Sequence, residues 1–553
     1  MEPSSIAAQL REIAIYFDLD GDRHRALAYD RAAKSIEAAT GLAHLLEEGR
    51  LEELPGIGPS IARTVGDLAR RGSATVLDNL RAKWPMVIVE LAQLPYVGVI
   101  KARKIHDALA PHDLDAVAAA CRAGALRGLK GFGETSEAKI LAAIEARRQA
   151  GVRALHVDAE QHAGSLAQHL RADPAALRVE IAGPVRRWLE IVDHLAFAVA
   201  TERPDAIVER FHSYALVTSV DAPGLADHGP EKVVARLADG MTCAVYLAPP
   251  ARFGWALIVA TGSPAHVESL RARGAEALLG EEAEIYAQLG VPFVPPEVRD
   301  GDGELGTDWS DLVAEHDVTT ASHCHTTYSD GRHTILEMAE AAAARGFAAI
   351  TITDHSAAAS YAGGLDADKL RAQQAEISAL TSPIRILRGT EADILADGTI
   401  DVPPELVPDL DLVIASVHQR YKLDEDGMTR RLVTAMRQPF FKIWGHALGR
   451  LVLRRDPIQV RIDEVFDAIS ESRAAIEING DPHRLDLDPI HARAAAERGI
   501  PFVLSTDAHS IGNLEYLRWA VAMARRARIR RRQVLNTLPP AELAALIRPV
   551  RSA

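Results

Sequence analysis

At 553 residues the chain is too long for one hydrophobic core, and at roughly 100–200 residues per domain it divides into about three or four units. Its 48% hydrophobic and 25% charged residues sit on the globular average, and no apolar run approaches the ~18 residues that cross a bilayer, so a soluble, non-membrane protein is expected. The net charge of −14 argues against a uniformly basic nucleic-acid binder, yet residues 1–150 hold 20 basic and 20 acidic side chains. The whole deficit lies beyond them, where carboxylates that bind cations account for part of it.

The first residues lack a basic stretch followed by an apolar core, so no export signal is expected and the cytoplasm is the expected location. Across 1–150, apolar residues recur at three- and four-residue spacing in "SIAAQLREIAIYF", "RALAYDRAAKSIEAA" and "SEAKILAAIEARRQA", which predicts an all-helical region. "LPGIGPSIA", "LPYVGVIKARKI" and "LKGFGETSEAKI" each put a glycine-containing hairpin before a helix. Gly56, Gly58, Gly98, Gly131 and Gly133 let such turns approach a phosphate closely at a helix N-terminus, with Lys101 beside them. From about 175 the texture turns strand-like in "LRVEIAG", "HLAFAVAT", "TCAVYLA" and "GWALIVATG", with helices predicted around 203–213 and 264–279: an α+β region. A segment rich in Pro, Gly and Asp at 291–317 reads as a linker. Beyond it, strands alternate with amphipathic helices, which predicts βα units and a parallel, barrel-like sheet.

Cys121, Cys243 and Cys324 are too few for a disulfide framework and too dispersed for a CxxC site; Cys121 and Cys243 read as small core residues.

The chemistry concentrates where the last strands run out. His323 and His325 with Asp330, then His355, Glu391, His418, His446, and Asp507 with His509, each follow a predicted apolar strand. Residues i and i+2 of a strand face one way, and the carboxyl ends of barrel strands form one rim, so these nine side chains converge. Six imidazoles and three carboxylates exceed what one tetrahedral Zn²⁺ uses and suit several Zn, Mn or Fe ions. Such a site activates water at neutral pH and clamps both oxygens of an in-line displacement at phosphorus, with no protein nucleophile. Asp354 is a candidate to orient His355, or to cap a loop. Arg450 and Arg484 are candidate phosphate contacts, or surface ion pairs. The run Arg525, Arg526, Arg528, Arg530, Arg531 and Arg532 reads as a solvated face before a phosphate site.

"HCHTTYSDG", "ITITDHS", "GTEADIL", "ASVHQR", "GHALGR" and "STDAHS" resemble the successive motifs of the PHP (polymerase and histidinol phosphatase) superfamily. The resemblance implies a distorted seven-stranded α/β barrel over 318–553 with about three metal ions on the nine ligands. The three hairpins resemble helix-hairpin-helix DNA-binding motifs, whose contacts are sequence-independent. With "AYDRAAKSIE", "AGPVRR" and "FGWALIVATGSPAH", residues 1–290 resemble a family X DNA polymerase. That resemblance implies a lyase-like helical domain at 1–85, a fingers-like domain at 86–150 and a palm and thumb at 151–290.

Here the chain departs from the family. The palm of that family carries an Asp-x-Asp pair and a third Asp that hold Mg²⁺. Gapless alignment puts Pro184 at the palm serine, His194 and Ala196 at the pair and Ala244 at the third position; a one-residue slide recovers only Asp193, opposite Leu195. The nucleotide-contacting pattern changes at Pro264 and Val267. The Schiff-base lysine of the lyase region falls on Thr64 and a nearby lysine on Ser60, and neither forms an imine. No palm Mg²⁺ is expected. The expectation is a metal-dependent DNA phosphodiesterase, a 3′-to-5′ exonuclease with abasic-site or 3′-end processing as variants, working in repair on gapped, nicked or 3′-ended DNA from a silent polymerase body. Its rivals are a small-molecule phosphate monoesterase, a non-catalytic DNA-binding scaffold and an active gap-filling polymerase.

Overall fold

The computed structural model describes residues 3–38, 45–46, 49–71, 73–150, 152–221, 223–226, 229–419, 421 and 423–550. Ala39, at the end of one predicted helix, and Arg420, within "ASVHQR", lie outside the described residues. The chain forms two compact units, 1–151 and 152–553. No helix among the described residues is long and apolar enough to cross a membrane.

The first unit is helical: α1 (Pro3–Leu19), α2 (Arg23–Ala38), α3 (Pro59–Arg71), α4 (Thr75–Lys83), α5 (Met86–Gln93), α6 (Gly98–Leu109), α7 (Leu114–Arg122) and α8 (Glu134–Ala150). Ile6, Leu10, Ile13 and Phe17 form the buried stripe of α1, as their spacing requires. A single cluster of buried side chains runs from Ile6 to Ile144, so the two helical domains expected at 1–85 and 86–150 share one core.

All three hairpins are built on the same turn. Ile57, Val97 and Phe132 donate their N–H groups to the carbonyls of Leu54, Leu94 and Leu129 (3.1, 3.2 and 2.9 Å) and bury their side chains. The residue before each lies in the left-handed region: Gly56 (φ 77°), Tyr96 (φ 70°) and Gly131 (φ 95°).

In the second unit, α9 (His156–Arg171) precedes a mixed sheet of β1 (Arg178–Ala182), β2 (His194–Ala200), β3 (Val217–Val220), β4 (Glu231–Leu237) and β5 (Thr242–Ala248), in the order β1-β2-β5-β4-β3. "GWALIVATG", read as a strand, is the helix α10 (Phe253–Thr261), followed by α11 (Pro264–Arg271). Nearly every residue of α10 is buried, and an apolar run without polar punctuation carries no period that separates helix from strand.

Residues 291–317 are no free linker. Val294, Val298, Arg299, Glu304, Trp309 and Leu312 are all buried, and the segment is strapped down by the C-terminal arginines. Arg525 meets Glu297 (2.7 Å), Arg528 meets Asp302, Arg530 meets Asp311 and Arg531 meets Asp317 (3.4 Å). Arg532 lies 3.7 Å from Asp311, and Arg526 donates to the carbonyls of Arg187 and Glu297. Arg525, Arg526, Arg528 and Arg530 are therefore neither a bare solvated face nor a free phosphate site, since groups more than two hundred residues upstream engage them, whereas Arg531 and Arg532 stay largely exposed as a charge run is expected to.

The last region is a parallel seven-stranded sheet, β6 (Thr320–Cys324), β7 (Ala349–Ile352), β8 (Arg385–Asp393), β9 (Leu412–Ser416), β10 (Lys442–Trp444), β11 (Ala474–Asn479) and β12 (Phe502–Ser505), in sequential order. The edges meet where Thr506 donates to Ser322 (3.1 Å) and Ala508 to His323 (2.9 Å), which nearly closes a barrel. Strand alternation puts Leu387 and Glu391 on one face, and likewise Ala475, Glu477 and Asn479, and Val503, Ser505 and Asp507. The lower part of that face is apolar and packs on Leu543, Ala544 and Ile547 of α12 (Pro540–Ile547). The upper part is polar and buried.

Candidate metal centre

The polar rim collects all nine expected ligands. Glu391 is central: its Oε2 lies 2.9 Å from His355 Nδ1 and 3.4 Å from His323 Nε2, and its Oε1 lies 3.2 Å from His418 Nε2 and 2.8 Å from His446 Nε2. Asp507 Oδ1 is 3.3 Å from His325 Nε2, and Asp330 Oδ1 is 3.6 and 3.5 Å from the Nε2 atoms of His355 and His509. Three overlapping groups, His325/Asp330/His355/His509, His323/His325/Asp507 and His355/Glu391/His418, each bring their ligand atoms within 4.8 Å of one another.

Local backbone makes this possible. His323, His446 and Asp507 all have positive φ (63°, 25° and 49°), a strained conformation of the kind that clusters at functional sites. A β-carbon on Gly331 would lie 2.5 Å from the carbonyl carbon of His325, so only glycine lets the loop fold Asp330 back against His325.

The donor set fits divalent cations. His323 Nε2, both ring nitrogens of His325 and His446 Nδ1 are buried without a hydrogen-bond partner; a neutral imidazole has one lone-pair nitrogen, so His323 and His325 each keep one free for metal. Burial opposes charge on His355, but Glu391 and Asp330 outweigh it and lift its pKa to about 10; against the same burial, Glu391 and Asp393 raise His418 to about 9, and Asp330 and Asp507 raise His509 to about 9. His325, buried among other imidazoles, falls to about 3.

Sequence reasoning missed the residues behind the ligands. Glu477 accepts from His323 Nδ1 (2.5 Å) and from the His446 N–H (2.5 Å), and Asn479 donates to Asp507 Oδ2 (3.1 Å). Asp393 pairs with His418 Nδ1 (2.8 Å). The available signal was the i, i+2 rule: Asp393 follows Glu391 on one face, and Glu477 is an acid inside the otherwise apolar "AAIEI". Asp354 does not reach His355. It accepts from Thr326 N–H (2.8 Å), Thr326 Oγ1 (2.7 Å), Ser329 Oγ (2.5 Å) and Gln373 (2.6 Å), so it ties down the loop that presents Asp330. Cys324 points away between its two histidines, and burial pushes its thiol to about 12.

Arg484 lies at the rim, its Nε 3.9 Å from Asp507 and 3.7 Å from Asp481, with Nη1 buried and lacking a hydrogen-bond partner. Arg450, the other expected phosphate contact, is taken up elsewhere: it pairs with Glu190 of the mixed-sheet region and the Leu485 carbonyl.

On the mixed sheet, Ala196 of β2 pairs directly with Ala244 of β5, and His194 with Thr242. A β-carbon on Gly183 would meet Ala196 Cβ at 2.8 Å. A cavity of about 510 Å³ opens beside them, lined by Pro184, His194, Lys232, Ser263, Pro264 and Val267 among others. Asp193, hydrogen-bonded to His194 Nδ1 (2.7 Å), is the one carboxylate among the described residues of that lining. Thr64 is buried in α3, its hydroxyl on the Ser60 carbonyl (3.1 Å) and Tyr29 Oη (3.3 Å). Lys101 Nζ donates to the Tyr96 carbonyl (2.8 Å). Gly58 and Gly133 stand immediately before α3 and α8, and Gly98 opens α6.

A nearly closed parallel barrel whose strand ends gather six histidines and three carboxylates defines a metal-dependent phosphoesterase of the PHP type. A family model described as PHP domain matches residues 322–481, and one described as helix-hairpin-helix domain matches residues 1–74. The chain is 32% identical, over 97% of its own length and 97% of the relative, to the DNA polymerase/3′-5′ exonuclease PolX of Bacillus subtilis. It belongs to the bacterial family X DNA polymerases that carry a C-terminal PHP domain. The barrel also resembles smaller proteins: a probable phosphatase of Caldanaerobacter subterraneus is 30% identical over 39% of this chain and 86% of that protein. One of Clostridium acetobutylicum is 32% identical over 24% of this chain and 57% of its own.

Proposed function

We propose that this chain is a 3′-to-5′ exonuclease of DNA repair, with abasic-site or 3′-end trimming in reach of the same chemistry, on a polymerase body that no longer transfers nucleotides. The supporting observation is a contrast within one chain: nine side chains able to ligate metal gathered on the barrel rim, and a palm face where Ala196 and Ala244 stand side by side with no carboxylate pair. A PolX relative named as both polymerase and 3′-5′ exonuclease supports the nuclease half.

About three Mn, Zn or Fe ions would be held by His323, His325, Asp330, His355, Glu391, His418, His446, Asp507 and His509. When bound, such ions lower the pKa of water and neutralise charge on phosphate. The protein fixes the ligands for them. Glu477 holds the Nδ1 proton of His323 and Asp393 that of His418, which leaves each Nε2 lone pair toward the centre. Arg484, with its spare Nη1 beside Asp507, would take a non-bridging phosphate oxygen and orient the scissile bond. Gapped, nicked or 3′-ended duplexes are the proposed substrates, gripped through the hairpins.

Purified protein with Mn²⁺ and a primer annealed across a short gap, with and without the four nucleotides, tests this. Primer shortening in both conditions is expected, lost in His325→Ala while DNA binding persists. Extension would overturn the silent palm. The probable phosphatases matched by the barrel support one other reading, a phosphate monoesterase; hydrolysis of a chromogenic monoester with an untouched primer would establish it instead.

A further inference from the structure

The tip of the middle hairpin departs from the other two in a way that phosphate binding does not require. Gly56 and Gly131 take their left-handed turn without a side chain, whereas the equivalent residue is Tyr96, at φ 70°. A bulky residue there is an outlier and signals a use for its side chain. The ring is not used for packing: Tyr96 is 66% exposed, and Ile100, beside it on the first turn of α6, is 76% exposed.

Lys101 and Lys139 flank this apolar pair, and lysine side chains cross between the middle and third hairpins. Lys139 of α8 lies 5.2 Å over the Tyr96 ring, and Lys101 of α6 lies 6.0 Å from the Phe132 ring. Lys104 donates to the Lys130 carbonyl (3.1 Å). Of the nearby acids, Glu137 is buried against Arg127 (2.7 Å), and Glu134, largely exposed, lies 3.7 Å from the same guanidinium. Lysines attract a polyanion, but an exposed isoleucine and the face of a tyrosine ring gain nothing from phosphates, to which only the phenol hydroxyl donates. They gain from the faces of bases, which a duplex exposes most cheaply where its stack is already broken.

We propose that Tyr96 and Ile100 form a wedge that enters the base stack at a nick in duplex DNA, while Lys101, Lys104, Lys130 and Lys139 hold the flanking phosphates. The wedge rests on the DNA reading above and adds to it a preference for interrupted over continuous duplex, set by the helical unit and independent of the metal centre.

The test uses the full-length chain carrying His325→Ala, so that DNA stays intact, and a labelled duplex with 2-aminopurine beside a central nick. The parent chain is expected to bind the nicked duplex more tightly than the continuous one and to raise 2-aminopurine fluorescence as the step opens. Tyr96→Gly should weaken nicked-duplex binding about tenfold and abolish the rise; Tyr96→Phe should keep both. The glycine relieves the left-handed strain, so the thermal melt should not fall; if it does, Ile100→Ser, an exposed change with the same expected loss, decides. Undiminished binding and fluorescence in Tyr96→Gly, or equal loss in Tyr96→Phe, would overturn the wedge alone. Failure of the parent chain to bind either duplex would overturn the DNA reading beneath it.

Discussion

Glu190, just before β2, and Arg450, four residues past the candidate ligand His446, form an ion pair that joins the mixed sheet to the barrel. Arg450 also donates to the Leu485 carbonyl, and the Asp486 carboxylate next to it accepts from the N–H groups of Leu448 and Arg450. The loop that carries His446 is therefore fastened from the polymerase-like side. Close by, Arg518 pairs with Glu160 (2.6 Å) and lies over Trp519, and Trp188 stacks on His156.

The pair is mostly shielded, with 13% of Arg450 and 20% of Glu190 exposed. Glu190→Gln leaves a guanidinium without its counter-ion and is expected to cost about 2–3 kcal/mol in urea unfolding of residues 152–553. Glu190→Gln with Arg450→Met should recover part of that loss. Additive effects in this double-mutant cycle would show that the pair is not a unit.

Glu477 touches two candidate ligands, His323 and His446, through one carboxylate. Glu477→Gln keeps the size and the nine ligands but removes the charge that steadies His323 and the His446 backbone. Metal titration of the stripped protein is expected to give roughly 10- to 100-fold weaker binding. Asp354→Asn, which acts on the loop and not on a ligand ring, should weaken it less.

Glu282 gives a pH signature outside the metal centre. Burial alone would raise its pKa, but Arg186 (2.5 Å) and Arg299 (2.6 Å) overcome this and lower it from 4.5 to about 2. A folded pKa below the unfolded value contributes stability above about pH 4.5 that is lost as pH falls toward 2, here on the order of 3 kcal/mol. Glu282→Gln should therefore be markedly less stable than the parent at pH 7, with the gap closing between pH 4.5 and 2. A gap independent of pH in urea melts would refute the assignment.

The palm offers the converse experiment. Because Ala196 and Ala244 are paired neighbours and His194 shares the Ala196 face, His194→Asp with Ala196→Asp and Ala244→Asp should create a divalent-cation site. In a His325→Ala background, calorimetry is expected to show an added Mg²⁺-binding event absent from the parent. No added binding would mean that these three positions do not converge as the strand register implies.

The nine candidate ligands were legible because they fall in six groups, each at the end of one strand, so local order along the chain already places them on one rim of any parallel barrel. The same holds for the three hairpins, whose glycines and flanking helices are contiguous in sequence. What could not be read is what depends on partners far away. The first four arginines of the C-terminal run are drawn in by groups far upstream, most of them in 291–317, and that segment reads as a linker although Val294, Trp309 and Leu312 are buried. The helix 253–261 has no polar residue before its last, Thr261, to mark its period. Glu477 and Asp393 gain their roles only once ring orientation is known, because a carboxylate steadies a ligand through the nitrogen the metal does not use. Distances between ligands, the loss of Arg450 to Glu190 and the exposure of Tyr96 were likewise settled by packing, which brings together groups that no spacing along the chain relates.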